Sequence, residues 1–215
     1  MKRLGLLVAL LTAAVPAYAG HPAECLVAQH QVEHSFALPR AAKAITAKKL
    51  DILVLGTGSS VLPGANGAKN AYPARFRAAL AEALPGVAIN VATDVKSRRT
   101  SADMVKALPP RLTSVRPALV IWQTGTVDAM LAVDPDRFND ALEEGIGLAQ
   151  SAGADVVLVD AQYSPRTESL IALSTYTEGM RWVALQHGVP LFNRFAIMRL
   201  WADLGTFDFT SAPTT

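Results

Sequence analysis

Apolar and polar positions along the chain fall into two alternating kinds of segment. Short apolar runs stand at Ile52–Leu55, Val87–Val91, Leu119–Trp122 and Val156–Val159, with a weaker one at Pro190–Phe192. They are β-branched and aromatic, as strands buried on both faces tend to be. Between them, helical spacing runs over Tyr72–Ala83, Ser101–Leu108, Asp136–Ala152 and Glu168–Gln186, and Pro85-Gly86, Pro109-Pro110 and Gly153 mark helix ends. Strands that alternate with helices need crossover connections, which are right-handed and give a parallel sheet covered on both faces. The predicted fold class is α/β, a three-layer α/β/α sandwich around a central parallel sheet of about five strands.

The N-terminal part of the chain reads differently. Lys2 and Arg3, the apolar stretch Leu4–Val15 and the small-residue pattern Ala17-Tyr18-Ala19 predict a signal peptide over residues 1–19, removed after Ala19. Its apolar run is shorter than the roughly 20 residues that span a bilayer, and Pro16 interrupts it. The expected localisation is periplasmic or secreted, with no stable membrane insertion after cleavage. Residues 20–49 form a predicted N-terminal helical segment, helical over about Glu24–Leu38, broken at Pro39 and helical again to Lys49. Residues 50–215 form the predicted α/β/α domain, without internal repeats or a dividing linker.

Composition narrows the function classes. With 51% apolar and 18% charged residues, 215 residues bury a sizeable core as one domain. Loss of Lys2 and Arg3 leaves basic residues equal in number to the 18 acidic ones, so nucleic acid and anionic membrane are not expected partners. Cys25 is the sole cysteine, which in an oxidising compartment points to a missing partner, an intermolecular bridge or a buried thiol.

Ligands of open parallel sheets bind at the carboxyl ends of the strands. Three loops qualify: Gly56–Gly67, Ala92–Thr100 and Gln123–Asp128. The first carries Gly56-Thr57-Gly58-Ser59-Ser60 after an apolar run, then Pro63-Gly64 and Tyr72-Pro73-Ala74-Arg75. The third carries Trp122-Gln123-Thr124-Gly125-Thr126-Val127-Asp128. In order, spacing and α/β pattern, Leu50 to Phe207 resembles the SGNH/GDSL hydrolases, whose first block follows the first strand and whose Gly-x-Asn-Asp block follows the third.

The resemblance implies an ester hydrolase. A serine near the first strand attacks the carbonyl, activated by a late Asp-x-x-His pair, since a hydroxyl needs an adjacent base to become a nucleophile. The serine N–H, a glycine N–H after the second strand and an asparagine side chain after the third hold the oxyanion. Aligned without gaps from Gly56, Thr57 stands at the family's aspartate and Gly58 at its serine; with a two-residue slip, Ser60 is the nucleophile and Ser59 replaces the aspartate. Ser59 and Ser60 are therefore the candidate nucleophiles, and both hydroxyls equally suit capping of the turn into the next helix. Arg98 or a neighbour stands at the oxyanion glycine, where a guanidinium would favour a carboxylated or phosphorylated ligand, or form part of a solvated basic loop. Gly125, Thr126 and Asp128 match the third block, with Asp128 also suited to cap a short following helix, but Val127 replaces the asparagine. Gln123 or Thr126 would substitute for it if the side chain points inward.

No histidine stands in a late Asp-x-x-His: Asp208-Phe209-Thr210-Ser211 ends in serine, and His187 sits at a predicted helix terminus that accounts for it. Thr215 falls where the last block and final helix are expected, so the resemblance implies a reading frame that continues and would supply the histidine and a partner for Cys25.

Other motifs carry less. His30-Gln31-Val32-Glu33-His34 matches a zinc-protease pattern, but no third ligand completes a site. Gly56-x-Gly58 lacks the third glycine of a dinucleotide fingerprint, because position 61 is Val61. Trp122, Trp182 and Trp201 are expected to pack in apolar surroundings. Neither cofactor nor metal is implied. The expected partner is a small-molecule or glycan ester substrate, and the alternative is a family member that has lost catalysis and binds a ligand or a cell-envelope partner through the same pocket.

Overall fold

The computed structural model describes Val27 and residues 36–209. The predicted signal peptide, Cys25 and the histidine pair at 30 and 34 lie outside the described residues. Five parallel strands form one sheet: β1 Lys49–Gly56, β2 Ala88–Val95, β3 Leu119–Gln123, β4 Asp155–Val159 and β5 Leu191–Phe192, in the order β2-β1-β3-β4-β5. The helices are α1 Pro39–Thr46, α2 Gly67–Asn70, α3 Tyr72–Ala83, α4 Ser101–Val115, α5 Thr126–Met130, α6 Pro135–Ser151, α7 Pro165–Leu170, α8 Leu173–His187 and α9 Arg194–Asp203. This is the expected α/β/α sandwich.

Successive side chains of β1 point to opposite faces and enter different cores. Leu53 and Leu55 pack with α4, α6 and α8 through Met104, Leu108, Leu142, Ile146, Met180 and Val183. Leu50, Ile52 and Val54 pack on the other face with α1 and α3, through Ala41, Phe76 and Leu80. Each such fully buried aliphatic side chain stabilises the fold by roughly 1.5–3 kcal/mol. Trp122 is the largest fully buried side chain, and α6 passes it at Gly145, where a Cβ would fall 2.3 Å from the indole.

Several element boundaries differ from the sequence reading. Pro39 starts α1 as its first residue rather than only breaking a preceding helix, because its missing N–H is an orphan there. Pro109 and Pro110 do not end α4, which runs on to Val115. Both rings face solvent, while Leu108 and Leu112 on either side are buried and hold the helix to the sheet. The helical stretch from Glu168 is two helices, α7 and α8, with Ile171 between them in an extended backbone conformation. Trp182 is 53% exposed, because α8 turns that face away from the sheet.

The chain leaves β1 toward β2 on one side and returns to β3 on the other. The switch point between β1 and β3 is where a crevice opens at the carboxyl ends of the strands. Both motif-bearing loops leave the sheet there.

Candidate active site

The register pairs Leu55 with Trp122, so Gln123, the last residue of β3, stands beside Gly56 and the loop that follows it. From Gly56 the chain passes through Thr57 into one 3-10 turn, Gly58–Ser60, closed by Ser60 N–H donating to the Thr57 carbonyl at 2.9 Å. Ser60 folds back over Gly56 so closely that a Cβ on Gly56 would lie 2.1 Å from Ser60 Oγ. That position therefore requires glycine.

The fully buried Gln123 amide joins the two candidate serines. Ser60 Oγ donates to Gln123 Oε1 at 2.6 Å, and Gln123 Nε2 donates to Ser59 Oγ in a short hydrogen bond. The two serines thereby become chemically different. Ser60 is 1% exposed and its proton is committed to the amide oxygen. Ser59 is half-buried and accepts from the amide, and among the described residues none accepts its own O–H.

Behind Ser60 lies a buried polar row. The Tyr72 hydroxyl comes up beside it without full hydrogen-bond geometry, and burial pushes the phenol above its ordinary value. Arg194 stands further back, its Nη2 donating to the Asp160 carbonyl at 2.7 Å, and burial pulls the guanidinium down to about 10. The Asp160 carboxylate, at the carboxyl end of β4, accepts from Phe195 N–H at 2.9 Å. Burial pushes it up to about 6, against the pull of that N–H and of Arg194.

The remaining expected site residues separate into structural and surface roles. Asp128 is fully buried and accepts from Ser101 N–H at 3.0 and 3.2 Å, from Ser101 Oγ at 2.8 Å and from Thr124 Oγ1 at 3.4 Å. It thus holds the start of α4, a helix distant in sequence, and does not cap the short helix α5, whose N-cap is Gly125. Gly125 precedes α5 with φ of 94°, a left-handed backbone, and Thr126 is the first residue of that helix. Arg98 is exposed with φ of 61°, the backbone region that favours glycine, which fits its place at the family's glycine. Arg99, its neighbour, pairs with Asp94 at 2.9 and 3.3 Å.

Gly58 is exposed, and a Cβ there would lie 3.2 Å from Ser97 Oγ. His187, the one histidine among the described residues, ends α8 at the amino end of β5, with Glu143 3.9 Å away. It lies at the opposite end of the sheet from Ser59. Gln123, which the sequence offers only as a substitute for the missing asparagine, is brought by the β1–β3 register onto both candidate serines.

Known structures share the fold of this chain. The structure of TesA is 24% identical, with a TM-score of 0.54, over 65% of this chain and 76% of that one. The psychrotrophic esterase EstA from Pseudoalteromonas sp., inhibited by monoethylphosphonate, is 19% identical, with a TM-score of 0.55, over 67% and 75% of the two chains. Axe2, an acetyl-xylooligosaccharide esterase from Geobacillus, is 14% identical, with a TM-score of 0.58, over 71% and 80%. No curated protein sequence matches. The sheet and its flanking helices have the fold of the SGNH hydrolases. Residues 24–215 match the model of the Non-GDSL lipase-like family, and the chain belongs to that family.

Proposed function

We propose that this chain is an exported serine hydrolase of small or carbohydrate esters, with Ser59 as its nucleophile. The observation that carries the assignment is the Gln123 bridge, which occupies the proton of Ser60 and, among the described residues, leaves that of Ser59 without an acceptor. In the reaction the Ser59 O–H bond breaks as Oγ attacks the ester carbonyl. The alcohol leaves, and water then cleaves the acyl-serine. Backbone N–H groups near Gly58 and Arg98 face the developing oxyanion in this reading, in place of the asparagine side chain that Val127 lacks. The general base comes from outside the described residues, because His187 is at the far end of the sheet. Family membership weighs for hydrolysis over a binding protein without turnover, and the ester class follows the named activity of the Axe2 neighbour.

The test is hydrolysis of short-chain nitrophenyl esters by the full chain and by Ser59→Ala and Ser60→Ala. Ser59→Ala is expected to abolish turnover, and Ser60→Ala to retain a measurable fraction. Retained turnover in Ser59→Ala would refute the assignment.

A further inference from the structure

The turn between β2 and α4 carries Lys96, Ser97 and Arg98, all exposed. We propose that Lys96 and Arg98 form a recognition site for an oxyanion group, phosphate or carboxylate, and that the ester bound beside it carries such a group. The ester rests on the hydrolase reading of this site, whereas the anion site is independent of turnover.

Three observations support it. First, this turn lies against the serine turn. Lys96 N–H donates to the Gly56 carbonyl at 3.3 Å, and Ser97 Oγ would be 3.2 Å from a Cβ on Gly58. Second, the exposed charge here has one sign. The loop Gly56–Gly67 has no charged residue, and the loop Gln123–Asp128 has only Asp128, which is fully buried and spent on Ser101 and Thr124. Asp94 is taken by Arg99 at 2.9 and 3.3 Å, and Asp103 closes the capping box with Thr100. Neither Lys96 nor Arg98 pairs with a carboxylate of the described residues. Uncompensated cations at the mouth of a crevice raise the local concentration of anions, and the guanidinium fork matches two oxygens of a phosphate or carboxylate. Third, Arg98 stands on a backbone that disfavours it. Among the described residues, Lys48, Arg116 and Ala132 also have positive φ, but each follows a helix end, where a left-handed residue is ordinary. Arg98, with φ of 61°, follows a strand, and glycine would take that backbone freely. A guanidinium held on a disfavoured backbone at a strand end points to a use for the side chain.

The experiment titrates inorganic phosphate at fixed ionic strength into the full chain, Arg98→Gly and Lys96→Gln, read by amide NMR shifts, with urea unfolding of each. Saturable shifts centred on residues 96–98 are expected. Arg98→Gly is expected to weaken phosphate about fivefold while unfolding no more readily, because glycine relieves the left-handed backbone. Lys96→Gln is expected to weaken it about twofold. Unchanged phosphate affinity in Arg98→Gly, or shifts spread evenly over exposed lysines elsewhere, such as Lys43 and Lys69, would overturn the proposal. The ester is tested in Ser59→Ala with monomethyl succinate, which is anionic, and dimethyl succinate, which is neutral. The anionic ester is expected to bind more tightly, and addition of Arg98→Gly to remove the preference; equal binding of the two would overturn the ester class. Nitrophenyl ester turnover by Ser59→Ala decides the nucleophile, while these titrations need no turnover, so the two readings fail separately.

Discussion

The loops that leave β1 and β3 stand side by side and use their polar residues in opposite ways. In the β3 loop, Asp128 matches the family block and is wholly buried, its carboxylate spent on Ser101 and Thr124. In the β1 loop, Ser59 departs from the family block under either alignment, yet it is half-buried and accepts from Gln123, and no described residue accepts its proton. The matching residue holds the fold together, while the residue proposed for the chemistry sits where the pattern has drifted. A carboxylate that fixes a helix to a strand end is hard to replace without losing the fold. A hydroxyl on a turn has several nearby positions from which to reach the same space.

Four measurements break or sharpen that contrast. Ser59→Ala is expected to lower kcat/KM by about 10³-fold or more, roughly 4 kcal/mol of transition-state stabilisation, while denaturant unfolding shifts by no more than about 0.5 kcal/mol. A stability loss as large as the activity loss would make Ser59 structural and end the contrast. Asp128→Ala should do the reverse, costing about 3 kcal/mol of unfolding free energy, because it strands the buried N–H and hydroxyl of Ser101. Urea unfolding checks this, and a near-neutral result would remove Asp128 from the structural side.

Asp160 tests a third strand end. Its carboxyl is raised by burial to about 6 from an ordinary value of 3.8, so the folded state binds the proton more tightly than the unfolded state. Stability is therefore greatest below the lower value and falls as pH rises through the window between the two, by about 2–3 kcal/mol. Asp160→Asn is expected to lack that fall, seen as a difference in thermal or denaturant stability between pH 4 and 6. Parallel profiles would show that the carboxyl is not raised. Smallest is Thr100→Ala. It removes one half of the Thr100–Asp103 capping box at the start of α4 but leaves Asp128 on Ser101. A loss of about 1 kcal/mol is expected, clearly less than for Asp128→Ala, and a larger one would make the box rather than Asp128 the main anchor of α4.

The fold was legible because each strand and helix carries its own period and its burial is local to that period. Val156–Val159 is apolar at every position and is covered on both faces; the predicted helix over Tyr72–Ala83 matches α3. Boundaries were less legible where tertiary packing outweighs a local rule. Pro109 and Pro110 should stop a helix, but the burial of Leu108 and Leu112 carries α4 past them. For the site, Ser59 and Ser60 were readable as a pair, and the choice between them was not. That choice depends on which end of one amide faces which hydroxyl, and Gln123 lies 63 and 64 positions further along the chain. No spacing rule connects residues joined only by strand register.

The contact between α1 and β4 has a consequence for the order of folding. Asp155, the first residue of β4, accepts from the backbone N–H groups of Arg40 and Ala41 at 2.8 and 2.9 Å, across separations of 115 and 114 residues. A helix of eight residues is marginal alone, and its anchor does not exist until β4 has joined the sheet. Helix α1 is therefore expected to dock late in folding and to open first in the native state. Among the described residues, α1 would then be the earliest to exchange its amide hydrogens and the earliest to admit a protease, while the five strands behind it remain closed.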